Sequence, residues 1–294
     1  MNELVVLSGK GGTGKTSLVA AFASFAANKV LCDADVDAAD LHLIMDPDVR
    51  ESHEFRSGNT AIINPDKCSQ CRLCRELCRW DAISRDFVVD PFECEGCGVC
   101  VYFCPDQAVD FPVNTCGEWF LSDTRFGPMA HARLGIAEEN SGKLVTLIRQ
   151  EAKKLAEEKE LGLILTDGPP GIGCPVIASL GGATAVLIVT EPTVSGRHDM
   201  ERVTQLAAHF QIPTMVCVNK FDLNPDQTQA IEDFAKEKNV GVLGRIPFDP
   251  TFTRAMVQGK TIVEFDRHSE GNKAVSSIWE NLAQKLQSLG EGNT

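Results

Sequence analysis

The chain has 294 residues, 43% hydrophobic and 23% charged, which fits one large α/β domain or two smaller ones and excludes a disordered or fibrous chain. Asp and Glu number 41 against 28 Lys and Arg, a formal net charge of -13. Nucleic acid and anionic membrane surfaces are both gripped by Lys and Arg, so neither is an expected partner. The 12 cysteines stand in clusters instead of a spread framework, so they are expected to be thiolates on metal in a reducing compartment. With no basic leader and no run of roughly 18 apolar residues in the sequence, the expected location is the cytoplasm.

In chain order, residues 4–7 are an apolar strand, 9–16 a Gly-rich loop, 17–27 an Ala-rich helix and 30–32 a second strand leading into the acidic D-A-D-V-D-A-A-D. Residues 50–62 and 109–135 read as irregular strands and turns. Between them, 63–112 holds eight of the twelve cysteines and has no room for a long helix. The alternation returns after residue 160, with strands near 161–166, 184–190, 213–219 and 240–246. Helices are expected near 173–181, 196–210, 225–238 and 271–289. Strands apolar on both faces and alternating with helices predict an α/β fold, a mostly parallel sheet with helices on both faces. The expected layout is a discontinuous P-loop domain, 1–62 and 113–294, with 63–112 as an inserted small α+β domain.

Gly9-Lys10-Gly11-Gly12-Thr13-Gly14-Lys15-Thr16-Ser17 contains the P-loop pattern G-x-x-x-x-G-K-T. Its glycines let backbone N–H groups turn inward around phosphate, and the helix that follows adds its positive end. Lys15 is expected at the β/γ-phosphates and Thr16 on Mg²⁺. The form K-G-G-x-G-K-T resembles the deviant P-loop of the MinD, Mrp and ParA ATPases and of the nitrogenase iron protein. The resemblance covers the whole chain and implies an ATP-bound dimer, a homodimer or a heterodimer with a paralogous ATPase. In it Lys10 would reach the partner's nucleotide as the trans cation. It also implies a first switch at Asp33 and Asp35, with Asp35 positioning the attacking water and Asp33 nearer Mg²⁺. The second switch would be Asp167, ending the 161–166 strand. Asn219-Lys220-Phe221-Asp222 is the expected base-reading segment, and Ile246-Pro247-Phe248-Asp249 the turn that closes over the base. N-K-x-D alone reads as guanine; the deviant lysine favours adenine, hence ATP.

Cys68, Cys71, Cys74 and Cys78 form C-x₂-C-x₂-C-x₃-C, and Cys94, Cys97, Cys100 and Cys104 repeat it with Pro105 following. This run resembles the bacterial ferredoxin pattern, which implies two [4Fe–4S] clusters with crossed ligation. Cluster one takes Cys68, Cys71, Cys74 and Cys104; cluster two takes Cys94, Cys97, Cys100 and Cys78. Zinc ribbons use paired C-x₂-C arms with a long spacer, unlike these triplets. The first run carries Arg79-Trp80 where Pro is common. Cys32 and Cys217 read as small core residues, and Cys116 has no partner at metal spacing. Cys174 lies seven residues after Asp167, the offset at which the nitrogenase iron protein carries an interface cluster ligand; that protein's second ligand has no clear counterpart here, so a buried inert thiol is the expectation and an interface role the alternative.

Residues 119–145 read either as a partner surface or as a β-meander leading into an amphipathic helix. The segment 190–198 follows a strand at the sheet's carboxyl edge, where ligands of α/β proteins sit. Val275, Ile278, Trp279, Leu282 and Leu286 share one face of the last helix, which lacks a basic excess and is expected to pack on its own domain. Three functions remain open. One is an ATP-gated electron carrier with a redox partner. The second is a metal-cluster assembly or carrier ATPase with an acceptor protein. The third is a MinD/ParA-like positioning ATPase with structural or sensory clusters.

Overall fold

The computed structural model of the chain describes residues 1–135 and 141–291. Of the 119–145 stretch, residues 136–140 lie outside the described residues. The chain divides into two compact units. The first comprises Met1–Ser52, Trp119–Arg133 and the chain from Ser141 onward; the second comprises His53–Glu118 with Leu134 and Gly135. The predicted segment 63–112 falls within the second.

The first unit opens as expected, with β1 (Asn2–Ser8), α1 (Lys15–Phe25) and β2 (Lys29–Asp33), and adds a short α2 (Leu41–Met45). The segments expected to be irregular are instead long and regular: β3 (Asp48–Asn59), β6 (Val113–Thr124) and β7 (Gly127–Leu134). Between β3 and β6 lie the short β4 (Ile62–Ile63), α3 (Leu73–Leu77), α4 (Val99–Tyr102) and β5 (Val109–Asp110). Then follow α5 (Ser141–Glu158), β8 (Leu163–Pro170), α6 (Cys174–Leu180), β9 (Ala185–Thr190), α7 (Val194–His209) and β10 (Thr214–Asn219). The chain continues through α8 (Pro225–Glu237), β11 (Gly241–Ile246), α9 (Thr251–Val257), α10 (Ile262–Phe265) and α11 (Glu270–Glu291).

Among the described residues the main sheet has the order β11-β10-β9-β1-β8-β2-β7-β6-β3. Every pairing from β11 across to β7 is parallel. Strand β1 shows why both faces must be covered. Leu4, Val5, Val6 and Leu7 are all fully buried, and the two-residue strand period sends them alternately to opposite sides. Leu4 and Val6 join Phe22 of α1 and Val275, Ile278 and Leu282 of α11. Val5 and Leu7 join Leu180 of α6, Met200 and Val203 of α7 and Ile231 of α8. The last helix therefore packs on its own domain, and Trp279 meets Phe22 at 5.2 Å between ring centroids. A Cβ on Gly168, inside β8, would lie 2.5 Å from Leu7 Cδ2 and 2.9 Å from Val6 O, so glycine lets β8 lie tight against β1.

In the second unit β4 and β5 pair antiparallel, Ile62 with Asp110 and Ile63 with Val109. The helices α3 and α4 have five and four residues, as the absence of room for a long helix implied. Among the described residues no helix is long and apolar enough to cross a membrane.

Candidate functional site

The turn from β1 into α1 makes the phosphate-type cradle. Gly12 and Gly14 sit at φ 81° and 88°, a left-handed backbone that glycine enters without strain. Leu18 N–H donates to Gly14 O at 3.0 Å, which starts the helix. A cavity of about 390 Å³ opens above the turn, lined by Gly11, Gly12, Thr13, Gly14, Lys15, Thr16 and Ser17. Asp35, Asn219, Lys220, Pro247 and Asp249 line the same cavity. The predicted loop, Asp35 of the predicted first switch and the base-side residues Asn219, Lys220, Pro247 and Asp249 thus come together, while Asp33 is not part of the lining. Lys10 and Asp167 do not line it; Asp167 reaches it only through Lys15.

Lys15, only 5% exposed, donates to Asp167 Oδ1 at 2.7 Å and Asp35 Oδ2 at 3.1 Å. Burial works against its charge, but the carboxylates of Asp167 and Asp35 overcome that and raise its pKa. Asp33 is fully buried, and burial with the neighbouring Asp167 charge pushes its pKa well up. Its two oxygens accept the N–H groups of Asp35 and Leu41, each at 3.3 Å, so it holds the loop that presents Asp35. Burial also raises Asp35. Among the described residues Asp167 Oδ2 and Thr13 Oγ1 are buried without a hydrogen-bond partner. Asp167 does not end its strand as expected: β8 runs on to Pro170, because Asp167 is paired with Val6 of β1 and Asp33 of β2.

On the base side, Asn219 Nδ2 donates to Thr13 O at 2.8 Å, tying the end of β10 to the loop. Asp222 does not line the cavity; its Oδ1 accepts Phe248 N–H at 2.7 Å. Asp249 accepts from Thr251 N and Gly271 N. Burial opposes its charge, but these bonds prevail and lower its pKa. Phe252, Thr253 and Met256 of α9 complete the wall and were not identified from the sequence; α9 is a short helix whose apolar residues carry no motif. Glu191 was also missed as an individual. It pairs with both Lys220 and Lys10, and only its place after a strand at the carboxyl edge marked it. His198 is exposed, 3.7 Å from Asp199.

The cysteine runs enclose two further cavities in the second unit. Cys68, Cys71, Cys74 and Cys104 line one; Cys74, Cys78, Cys94, Cys97 and Cys100 line the other. Burial raises the Cys74 thiol, and Cys68, Cys71 and Cys104 add to the shift. Burial likewise raises Cys100, with Cys94 and Cys97 adding. The runs share a backbone pattern: Gln70, Arg72 and Asp81 have φ of 58°, 71° and 52°, and Gly96, Gly98 and Gln107 have 61°, 73° and 48°. Each pair is 26 residues apart (96 less 70, 98 less 72, 107 less 81), the offset from Cys68 to Cys94. Among the described residues no three His, Cys, Asp or Glu converge closely enough to hold one metal ion. Cys32 and Cys217 are buried in strands as expected, and burial pushes the Cys217 thiol up to about 12. Cys116 is buried and donates to Ser57 O. Cys174 is exposed, which corrects the expectation of a buried thiol.

A family model described as the CobQ/CobB/MinD/ParA nucleotide binding domain matches residues 4–262. The chain belongs to this family. A Methanocaldococcus jannaschii protein described as Uncharacterized protein MJ0578 is 30% identical over 289 residues, 96% of each chain. Among solved structures, the cell division ATPase MinD of Pyrococcus furiosus aligns with a TM-score of 0.61 at 19% identity, covering 97% of this chain and 99% of that one. The septum site-determining protein MinD of Pyrococcus horikoshii, complexed with Mg-ADP, aligns at 0.59 and 17% identity, covering 96% and 95%. Gly11 to Ser17, Asp35, Asn219, Lys220, Pro247 and Asp249 thus line one shared cavity in a chain of this family.

Proposed function

We propose that the chain is an ATP-binding and hydrolysing member of this family that closes as a dimer on ATP and carries two [4Fe–4S] clusters for electron transfer. The observation that carries the ATPase reading is the single cavity joining the P-loop, Asp35 and the Asn219–Lys220 segment. The engagement of Asp222 away from that cavity favours adenine over guanine, since N-K-x-D reads guanine through a free Asp. Loop N–H groups would hold the phosphates. Lys15 would exchange its carboxylate partners for the β/γ-phosphates, which frees Asp35 to take a proton from the attacking water. Raised by burial, Asp35 is a better base than an exposed carboxylate. The orphaned Asp167 Oδ2, with Thr16 at the cavity, fits Mg²⁺, whose charge would offset that of the transferring phosphoryl group.

The cluster reading is supported by this chain's own thiols. A single zinc draws its ligands to about 2.3 Å from one point. A four-iron core binds each thiolate at a different iron, so its ligands ring a cavity, as the two sets do here. Cys78 lining the cavity of the second run, and Cys104 that of the first, favour the crossed assignment. Bound there, the clusters would accept and release single electrons; Cys174 is left without a role in this scheme. Nothing in the relatives' descriptions speaks for electron transfer. The alignments to MinD favour a second reading, a positioning ATPase whose clusters are structural or sensory, and do so more directly than they favour the redox reading.

Anaerobic purification with iron, acid-labile sulfide and ATPase assays tests the proposal. It expects about eight irons per chain and ATP turnover that rises faster than linearly with protein concentration. A chain with one zinc, or with no turnover, overturns it.

A further inference from the structure

We infer that Glu191 is a positioning residue that keeps Lys10 within its own chain, and that Lys220 competes with Lys10 for it. The inference rests on the ATP-closed dimer proposed above, in which Lys10 serves the other subunit.

Glu191 sits one residue past β9, on a turn that is fixed from several sides. Thr193 caps α7 by accepting Gly196 N–H at 2.9 Å, and Thr190 Oγ1 donates to Gly196 O at 3.0 Å. A Cβ at Gly196 would fall 2.5 Å from Glu191 O, so the turn closes only over glycine. The Glu191 side chain is 14% exposed and faces two ammonium groups. Lys220 Nζ is bonded to its Oε1. Lys10 Nζ stands 3.7 Å from its Oε2 and donates to Ser195 Oγ at 3.5 Å. Lys220 Nζ also donates to Gly12 O at 3.5 Å.

One negative charge therefore serves two positive ones delivered by different loops, those after β1 and β10. The shares are unequal: Lys220 makes the close bond and Lys10 the looser, more exposed one. A carboxylate half-neutralised by Lys220 grips Lys10 weakly, which leaves Lys10 able to reach out of its own chain. With Lys220 gone the full charge falls on Lys10, and with Glu191 neutral Lys10 keeps the Ser195 bond but loses its ionic partner. Lys10 does not line its own cavity; Glu191 and Ser195 hold it where it rests. The two substitutions must act on Lys10 in opposite directions, which a general loosening of the turn would not produce.

Lysine-resolved mass spectrometry after brief acetylation of the nucleotide-free full chain reads this directly. Glu191→Gln, which keeps the shape and removes the charge, is expected to speed Lys10 labelling three- to five-fold, as fits a partly exposed pair. Lys220→Met is expected to slow it by a similar factor, and Glu191→Asp to restore a rate near that of the unaltered protein. Lys10 labelling that is unmoved, or that moves the same way in both variants, overturns the inference. Sedimentation with a non-hydrolysable ATP analogue separates the two layers. Glu191→Gln should lower the protein concentration for half-dimerisation several-fold. A chain that stays monomeric refutes the dimer, and with it the destination of Lys10, while the labelling still decides whether Glu191 holds it.

Discussion

Replacing Lys15 by Met removes the one ammonium among three buried carboxylates. Asp33, Asp167 and Asp35 are 0%, 1% and 8% exposed, and both bonds from Lys15, at 2.7 and 3.1 Å, are lost. Stripping one partner from a buried pair costs about 3–5 kcal/mol. Proton uptake by Asp33 and Asp35, both already raised by burial, relieves part of this, so about 3 kcal/mol is expected near neutral pH. In a domain of this size that lowers Tm by about 6–12 °C. The sign with pH follows from the raised carboxyls. The folded chain keeps protons that the unfolded chain has already released, so the favourable contribution of these groups is complete below the ordinary value of 3.8. It is lost as pH rises through their folded values. Lys15 is itself raised, so in the unaltered protein its pairing persists across this whole range. Loss of Lys15 pushes the carboxyls higher, and the deficit relative to the unaltered protein must grow from pH 5 to pH 8. Thermal melts of nucleotide-free protein at pH 5, 6.5 and 8 measure it. A deficit equal at pH 5 and pH 8, or below about 1 °C throughout, would refute the view of this site as an excess of buried negative charge held by one lysine.

Three further outcomes are expected. Asn219→Ala loses the 2.8 Å bond to Thr13 O, worth about 1 kcal/mol; Tm should fall by about 2–4 °C, and nucleotide affinity by fluorescence titration should fall by up to about five-fold as the loop loses its tether. Gly168→Ala forces a Cβ to within 2.5 Å of Leu7 Cδ2 and should cost about 1–3 kcal/mol in urea unfolding. The double variant Cys68→Ser, Cys104→Ser removes two ligands of one crossed set. It should keep about four irons and one cluster signal, whereas uncrossed ligation would strip both clusters.

The P-loop half of the fold was readable because its signals are local. Leu4 to Leu7, buried on both sides, announce a central strand, and the glycines with Lys15 and Thr16 announce the turn. β3, β6 and β7 were less visible. Sequences such as D-V-R-E-S-H-E-F-R-S-G-N carry mostly exposed residues and little of the apolar patterning that marks a strand. For the site, the residues with fixed spacing in the chain were legible. Glu191, Phe252 and Met256 were not, because their roles arise where separate loops meet. The thiol groupings were implied by the resemblance of the cysteine runs to the ferredoxin pattern, whereas the 26-residue repeat in backbone conformation, with Arg72 and Gln70 at positive φ where the second run has Gly98 and Gly96, needed coordinates. A non-glycine there gave no sequence signal of a left-handed turn.

The proposed electron-transfer function requires that ATP closure and the clusters act on one another. Its most direct test is an anaerobic potentiometric titration followed by EPR, with and without a non-hydrolysable ATP analogue, on the full chain and on Lys10→Ala. The account predicts about eight irons per chain and a cluster reduction potential that shifts with the analogue only when Lys10 is present. Potentials that stay the same with and without the analogue, in a protein that binds it and dimerises, would contradict coupling and leave the positioning reading in its place.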